Sequence, residues 1–234
     1  MDLILLSQAN EERAARRAVI LATDLETGSA TLHRESDECD GELGAALTRA
    51  FDSGKSGSVE IGGGQLFLNV HVPPARLVII GAVHISQALA PMARLAGLDV
   101  EIIDPRTAFA TPKRFPDTAL SAEWPETVLA TRPLDAFTAL AAVTHDPKID
   151  DFPLETALRA NCFYVGALGS RKTHGKRVER LKAAGLSDAE IARIRAPIGL
   201  AIGAASPAEI AVAVLAEIIG ALRTRGSRQM EVQA

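Results

Sequence analysis

Four consecutive apolar residues, Leu77-Val-Ile-Ile80, precede Gly81; apolar positions then recur at helical spacing, and Val100-Glu-Ile-Ile103 closes on Asp104. This pattern predicts strand, glycine turn, helix and second strand. A short unbroken apolar run suits a strand buried on both faces, and the 3.6-residue spacing suits a helix packed on it. Downstream, Thr127 to Ala130, Ala136 to Thr144 and Cys162 to Leu168 read as further strands, with Leu154 to Ala160 as a short helix. Ser187-Asp-Ala-Glu190 has the spacing of a capping box and opens an expected helix over Asp188 to Arg195. Ser206 before Pro207 marks the start of a last helix, Ala208 to Arg223, apolar on most sides. Short apolar runs alternating with helices imply a Rossmann-like α/β fold: a largely parallel sheet with helices on both faces.

Residues 1–73 differ in texture. Ala18 to Asp24 and Ser29 to Arg34 read as two strands around Glu26-Thr-Gly28, Glu42 to Phe51 as a helix, and Val59-Glu-Ile61 meets Gln65 to His71 through Gly62-Gly-Gly64. A small α+β unit of ββαββ type is therefore expected, its glycine turn needing positive φ angles. Potential strand edges are expected at Gln65 to His71 and Ala18 to Asp24. Pro73-Pro74 blocks helix and regular pairing, which puts a domain boundary there. The expected organisation is a small unit over 1–73, a Rossmann domain over 74–224 and a flexible tail over 225–234.

Composition narrows the function. The 234 residues are 47% hydrophobic with a formal net charge of −4, so nothing draws the chain generally to nucleic acid or to an anionic membrane. The charge is uneven, however: Arg171 to Arg195 carries eight Lys or Arg against three acids. Such a run is either a solvated helix face or a helix start that meets an anion. Cys39 and Cys162 are the two cysteines, with neither disulfide nor zinc spacing. The apolar run Leu3 to Leu6 has no basic flank and acids follow it, unlike a signal peptide, and no apolar segment is long enough to span a bilayer. A cytoplasmic protein is expected.

Ligands of a parallel sheet bind beyond the carboxyl ends of its strands. The candidates there are Gly81, Ala82, Val83 and His84 after the first strand; Asp104 and Arg106 after the second; Thr144, His145 and Asp146 after the fourth; and Gly166, Gly169, Ser170, Arg171 and Lys172 after the fifth. A dinucleotide fingerprint would read G-x-G-x-x-G, but the three positions are Gly81, Val83 and Ser86. Val83 weighs against a closely held pyrophosphate. Asp104 stands where an acid accepts from a ribose diol, or else caps its own Pro-Arg turn; the Arg106 guanidinium suits a phosphate. Gly166-x-x-Gly169-Ser-Arg-Lys172 brings free N–H groups, a hydroxyl and two cations to a helix start, the chemistry of an anion site. His145 is a hydrogen-bonded strand-end residue, a ligand contact or one half of an acid-base dyad, and no set of side chains has metal-ligand spacing. One function class this supports is an NAD(P)-dependent oxidoreductase of Rossmann type holding its cofactor through Asp104 and Arg106. No Tyr-Lys or His-Asp catalytic pair accompanies it.

Several blocks carry a resemblance: Gly81-Ala-Val-His-Ile85, Val100 to Arg106, Thr144-His-Asp-Pro147, Phe163-Tyr-Val-Gly-Ala-Leu-Gly-Ser-Arg-Lys-Thr-His174, Pro197 to Ala204 and Ser206-Pro-Ala-Glu-Ile210. They resemble the XdhC/CoxI family, accessory factors of xanthine dehydrogenase and related molybdenum hydroxylases, from about Pro74 to Leu222. The resemblance implies a binding and delivery factor rather than a turnover enzyme. Such a factor holds the molybdenum cofactor, a molybdopterin or its cytidine dinucleotide, during sulfuration and insertion into an apo-hydroxylase. It further implies as partners that apo-molybdenum hydroxylase and a cysteine desulfurase, and the expected strand edges invite strand addition from that hydroxylase, from a separate cysteine-bearing polypeptide of the XdhC N-terminal type, or from a second copy of the chain as homodimer. Two departures stand out. The N-terminal Ser-Gly-Gly-Cys motif of full-length members has no match in residues 1–73, as in a short form, and Ala201 stands where the family commonly has Asp.

Overall fold

The computed structural model describes residues 3–225. It has two units, one formed by residues up to 73 together with 223–225 among those described, the other by 74–222. Of the tail expected over 225–234, residues 226–234 lie outside the described residues.

The smaller unit runs α1 (Leu3–Ala14), β1 (Val19–Asp24), β2 (Ala30–Arg34), α2 (Gly41–Ser53), β3 (Gly57–Ile61) and β4 (Gly64–His71). The ββαββ order is present, and α1 precedes it, an element the apolar run at Leu3 did not announce. Gly62 (φ 59°) and Gly63 (φ 82°) make a two-residue hairpin turn with both φ angles positive, which favours glycine and matches the strand twist. The strands form an antiparallel sheet in the order β2-β1-β4-β3. The edges expected at Ala18 to Asp24 and Gln65 to His71 are thus corrected: β1 and β4 are the central strands, and β2 and β3 carry the edges. Central position follows from burial, since Val19 to Ala22 and Leu68 are buried whereas β2 has no buried residue. Glu12 of α1 is buried and paired with Arg17 and Arg34, which hold its carboxyl at about 2, well below the ordinary range.

The larger unit follows as β5 (Arg76–Ile80), α3 (His84–Leu95), β6 (Asp99–Ile103), β7 (Ala119–Ser121), α4 (Pro125–Thr131), β8 (Thr138–Ala142), α5 (Pro147–Arg159), β9 (Tyr164–Ala167), α6 (Arg171–Ala183), α7 (Asp188–Ile191), β10 (Ile194–Arg195) and α8 (Pro207–Arg223). All six strands are parallel, in the order β10-β9-β8-β5-β6-β7. This is a doubly wound, Rossmann-like sheet: the chain steps outward from β5 to β7, then returns to the other side of β5 with β8. Alternate residues of each strand feed opposite faces. Leu77, Ile79, Ala139 and Ala141 pack with α3 and α8, and Val78, Ile80, Leu140 and Ala142 pack with α4, α5 and α6.

Three of the expected elements need correcting. Thr127 to Ala130 is helical, not a strand, because Pro125 occupies a first-turn position and Glu126 favours a helix start; the third strand is Ala119–Ser121. The helix expected over Leu154 to Ala160 begins a full two turns earlier, at Pro147, with the Asp146 carboxylate accepting from Lys148 N at 3.0 Å. The helix after the Ser187 capping box ends at Ile191, and Ile194-Arg195 adds a strand beside β9.

Gly166 lies inside β9 rather than in the turn that follows. A Cβ there would meet Ile198 Cγ1 and Tyr164 Oη at 2.6 Å each. Tyr164 Oη in turn donates to Glu217 of α8 at 2.7 Å, and Gly199 N donates to the same oxygen at 2.9 Å. Overpacking of this kind costs about 1–3 kcal/mol. Gly166→Ala is therefore expected to lower unfolding free energy by that amount in urea titrations; unchanged stability would contradict a packing role for this glycine.

Candidate functional site

The crevice of a doubly wound sheet opens at the carboxyl ends of the strands flanking the reversal, here β5 and β8. Gly81 ends β5 with φ 118°, and a Cβ at this position would come within 2.7 Å of Thr144 Cγ2. Only glycine fits there. The turn's own polar groups are taken by the protein. Gly81 N donates to Ile103 O at 2.8 Å, and Ser86, at the third fingerprint position and fully buried, donates its hydroxyl to Gly81 O at 2.6 Å. Ala82 N donates to Asp104 Oδ2 at 2.7 Å, and Ala82 O accepts from Arg114 Nη1 at 2.8 Å. Val83 and His84 open α3, whose start has no side-chain cap; His84 is exposed.

Asp104 is 0% exposed. Its Oδ1 accepts from Arg106 N and Nε, each at 2.9 Å, and its Oδ2 accepts from Ala82 N and from Arg106 Nη2, each at 2.7 Å. Burial acts to raise this carboxyl, but the Arg106 side chain and the two backbone N–H groups together hold it below the ordinary range. With both oxygens doubly engaged, the acid closes the β5 turn onto β6 and has no acceptor left for a ribose diol. Arg106 spends Nε and Nη2 on that acid, and its guanidinium lies 4.8 Å from the Phe109 ring centroid.

The groups that remain open lie on the other side of the reversal. A pocket of about 320 Å³ lies between the start of α5 and the first turns of α6, and its walls include His145, Asp150, Lys172, Lys176, Arg177 and Arg180. Thr144 holds it together: its hydroxyl donates to Asp150 Oδ1 at 2.7 Å and accepts from Asp146 N at 3.0 Å. His145 follows in left-handed backbone (φ 67°), uncommon for a non-glycine residue, and is exposed at the rim.

Two of the wall residues are ionisable and buried. Asp150 is 1% exposed and its Oδ2 has no hydrogen-bond partner; Arg177 is 2% exposed, donates from Nη2 to Leu168 O at 3.0 Å, and has no partner for Nε or Nη1. Burial pushes the Asp150 carboxyl up to about 6, against the Thr144 hydroxyl, the Arg177 charge and the Thr144 and His145 backbone N–H groups. Arg180 differs, being paired with Asp151 through Nη2 at 3.0 Å. Ser170 caps α6 by accepting from Thr173 N at 3.2 Å, and the first turn carries Arg171 and Lys172 with no acid. Cations at a helix start oppose the helix dipole, at a cost of about 0.3–1 kcal/mol each, and a bound anion removes that penalty. The arrangement is suited to holding an oxyanion.

Of the residues singled out from sequence, the pocket wall contains His145 and Lys172, with Thr144 and Asp146 fixing its edge and Gly169 and Ser170 leading into α6. Gly81, Ala82, Asp104 and Arg106 form a separate, internally satisfied cluster, Gly166 is packed in the sheet, and Arg171 is exposed outside the pocket wall. Asp150, Lys176, Arg177 and Arg180 were not singled out. Their signal is the spacing Lys172, Lys176, Arg180, which places three cations on one helical face within the cationic run noted above. Ala201 is exposed in the segment between β10 and α8. Among the described residues no three His, Cys, Asp or Glu side chains converge as a metal site, and no helix is long and apolar enough to cross a membrane.

Residues 77–218 match the family model described as the XdhC Rossmann domain. Among curated proteins, the chain is 36% identical over 160 residues to the uncharacterized protein YqeB of Escherichia coli, covering 66% of this chain and 29% of that one. It is 35% identical over 146 residues to the molybdenum cofactor insertion chaperone PaoD of Escherichia coli (62% of this chain, 40% of that one). It is 32% identical over 156 residues to a probable xanthine dehydrogenase subunit of Bacillus subtilis (66% and 45%). The chain thus spans less than half the length of each of these relatives. A crystal structure of a xanthine dehydrogenase from Bacillus halodurans shares the fold with TM-score 0.59 at 23% identity, over 94% of this chain and 64% of that one.

The raised carboxyl of Asp150 predicts a pH-dependent stability. A group whose native value, about 6, exceeds its ordinary 3.8 keeps a proton that the unfolded chain releases. The native state is therefore favoured at low pH, and the advantage disappears as pH rises from about 4 through 6. Asp150→Asn should accordingly be more stabilising at pH 7.5 than at pH 4, by up to about 3 kcal/mol. Urea titrations at the two pH values measure this, and an identical effect at both would exclude the assignment.

Proposed function

Because this chain belongs to the XdhC family, we propose that it is an accessory protein that holds a molybdenum cofactor as cargo for insertion into a molybdenum hydroxylase apoenzyme. The observation that carries this reading is the pocket between α5 and α6, where Lys172 and Lys176 add charge to the two unpartnered N–H groups of the buried Arg177. A pterin bearing a phosphate or a cytidine dinucleotide offers the matching anion. Two relatives point the same way by what they are called, a cofactor insertion chaperone and a component of a probable xanthine dehydrogenase.

In this reading the protein performs no turnover of its own. The helix start and the buried arginine bind the anionic end of the cargo, Thr144 and Asp146 keep the pocket edge in register, and His145 and the open start of α3 at Val83 and His84 face the same end of the sheet. Sulfuration of the cargo would be the work of a cysteine desulfurase, and the recipient is a xanthine-dehydrogenase-type apoenzyme. We further assign the separate unit over residues 1–73 to partner contact, with a cysteine-bearing companion or a second copy of the chain as candidates. The nicotinamide-dependent alternative is weaker, since Arg106 and Ala82 already saturate the acid it needs.

Protein purified from a host that makes the cofactor should release a fluorescent pterin on acid oxidation. Lys172→Ala with Lys176→Ala should retain about tenfold less, the effect of losing some 1.4 kcal/mol of charge-assisted binding. A protein that carries no pterin, or that enhances reduced nicotinamide fluorescence instead, would overturn the reading.

A further inference from the structure

The pocket's two buried ionisable groups define a narrower chemistry than attraction for anions in general. The inference rests on the reading above, that the pocket takes the anionic end of a ligand. Arg177 is fixed at one corner by its bond from Nη2 to Leu168 O, and its Nε and Nη1 are the donors left over. An arginine presents such N–H groups in one plane, a fork that matches two oxygens of a tetrahedral oxyanion. Alone, this would accept sulfate, a phosphodiester or a phosphate monoester alike.

Asp150 removes that indifference. Its Oδ1 is held by the Thr144 hydroxyl, while its Oδ2 is buried in the same pocket wall without a partner. A carboxylate facing a fully ionised oxyanion repels it at close range and gains no hydrogen bond. If one proton lies between them, the contact becomes a charge-assisted O–H···O hydrogen bond. A phosphate monoester has such a proton to give, because its second ionisation falls near pH 6. Sulfate and phosphodiesters have none near neutrality.

We propose that this pocket receives a terminal phosphate monoester that keeps one proton, with two of its oxygens accepting from Arg177 Nε and Nη1 and its P–O–H donating to Asp150 Oδ2. While Asp150 is ionised, oxyanions without a proton are rejected by the same carboxylate; once it is protonated it donates to them instead and the selectivity is lost. For the cargo proposed above, this selects the pterin that ends in a free phosphate over the form whose phosphates are both internal to a dinucleotide. Lys172 and Lys176 supply charge without shape, and the selectivity belongs to Asp150.

The test titrates the full chain at pH 7 and constant ionic strength with four probes: inorganic phosphate, methyl phosphate, sulfate and dimethyl phosphate. Calorimetry or ligand-induced shifts in amide NMR signals would read the affinities. Phosphate and methyl phosphate should bind at least tenfold more tightly than sulfate and dimethyl phosphate. Asp150→Asn, whose amide N–H donates to any oxyanion, should bring sulfate to the affinity of phosphate. Arg177→Met should abolish binding of all four, and Arg177→Lys, which keeps the charge and loses the fork, should weaken them together. Equal binding of sulfate and phosphate by the unaltered protein would overturn the proposal. Selectivity surviving in Asp150→Asn, or no binding of any probe at millimolar concentration, would do the same. Pterin retention without phosphate selectivity overturns this inference alone. Phosphate selectivity in a protein that carries no pterin overturns the cargo reading and keeps the pocket.

Discussion

Parallel strands cannot be joined by hairpins, so each must be followed by a crossover that lays a helix on the sheet. In the larger unit this places α3 and α8 on one face and α4, α5 and α6 on the other, and it buries the strands on both sides. What remains for chemistry is the end where the strands run out. The reversal between β5 and β8 opens that end, since successive crossovers leave in opposite directions there. The contact of Gly81 with Thr144 spans the reversal at a distance no side chain tolerates, and Thr144 in turn anchors Asp150. The position of the pocket thus follows from topology before any of its charged groups is considered.

Two buried aspartates stand a short distance along the same edge and meet opposite fates. Asp104 has both oxygens satisfied by Arg106 and Ala82, so its charge is stabilised and its role is complete within the fold. Asp150 has one oxygen held and one without a partner, near an arginine in the same condition. Buried charges of this kind cost several kcal/mol each unless paired, so the protein retains a local instability that protonation of Asp150 or an added group relieves. A closed pair reads as architecture, and an open one reads as a receptor.

Much of the fold was legible in the sequence because the Leu77 to Asp104 pattern is clean and because Ser187 and Ser206 announce their helices. The misreadings have physical causes. Four residues at Thr127 to Ala130 cannot distinguish a strand from a buried helical turn, and the prolines at 125 and 147 mark helix starts as readily as breaks. Asp104 has the spacing of a ribose acceptor and of a cap on its own Pro-Arg turn, and its bonds from Arg106 N, Nε and Nη2 are those of the cap. The pocket was only half visible. Lys172 and His145 follow strands and could be singled out, while Asp150 and Arg177 lie within helices, where a buried charge looks no different from a solvated one until the tertiary structure covers it.

The latch at Asp104 and the pocket at Asp150 share a sheet but no side chain. The latch fixes the β5–β6 half, and the pocket is written largely on two helix starts. Lys172 and Lys176 sit on an exposed surface where replacements disturb little packing. On such a surface the charge lining the pocket can be altered one side chain at a time on α6 while the scaffold stays folded, whereas a change at Asp150 or Arg177 reaches the buried interior.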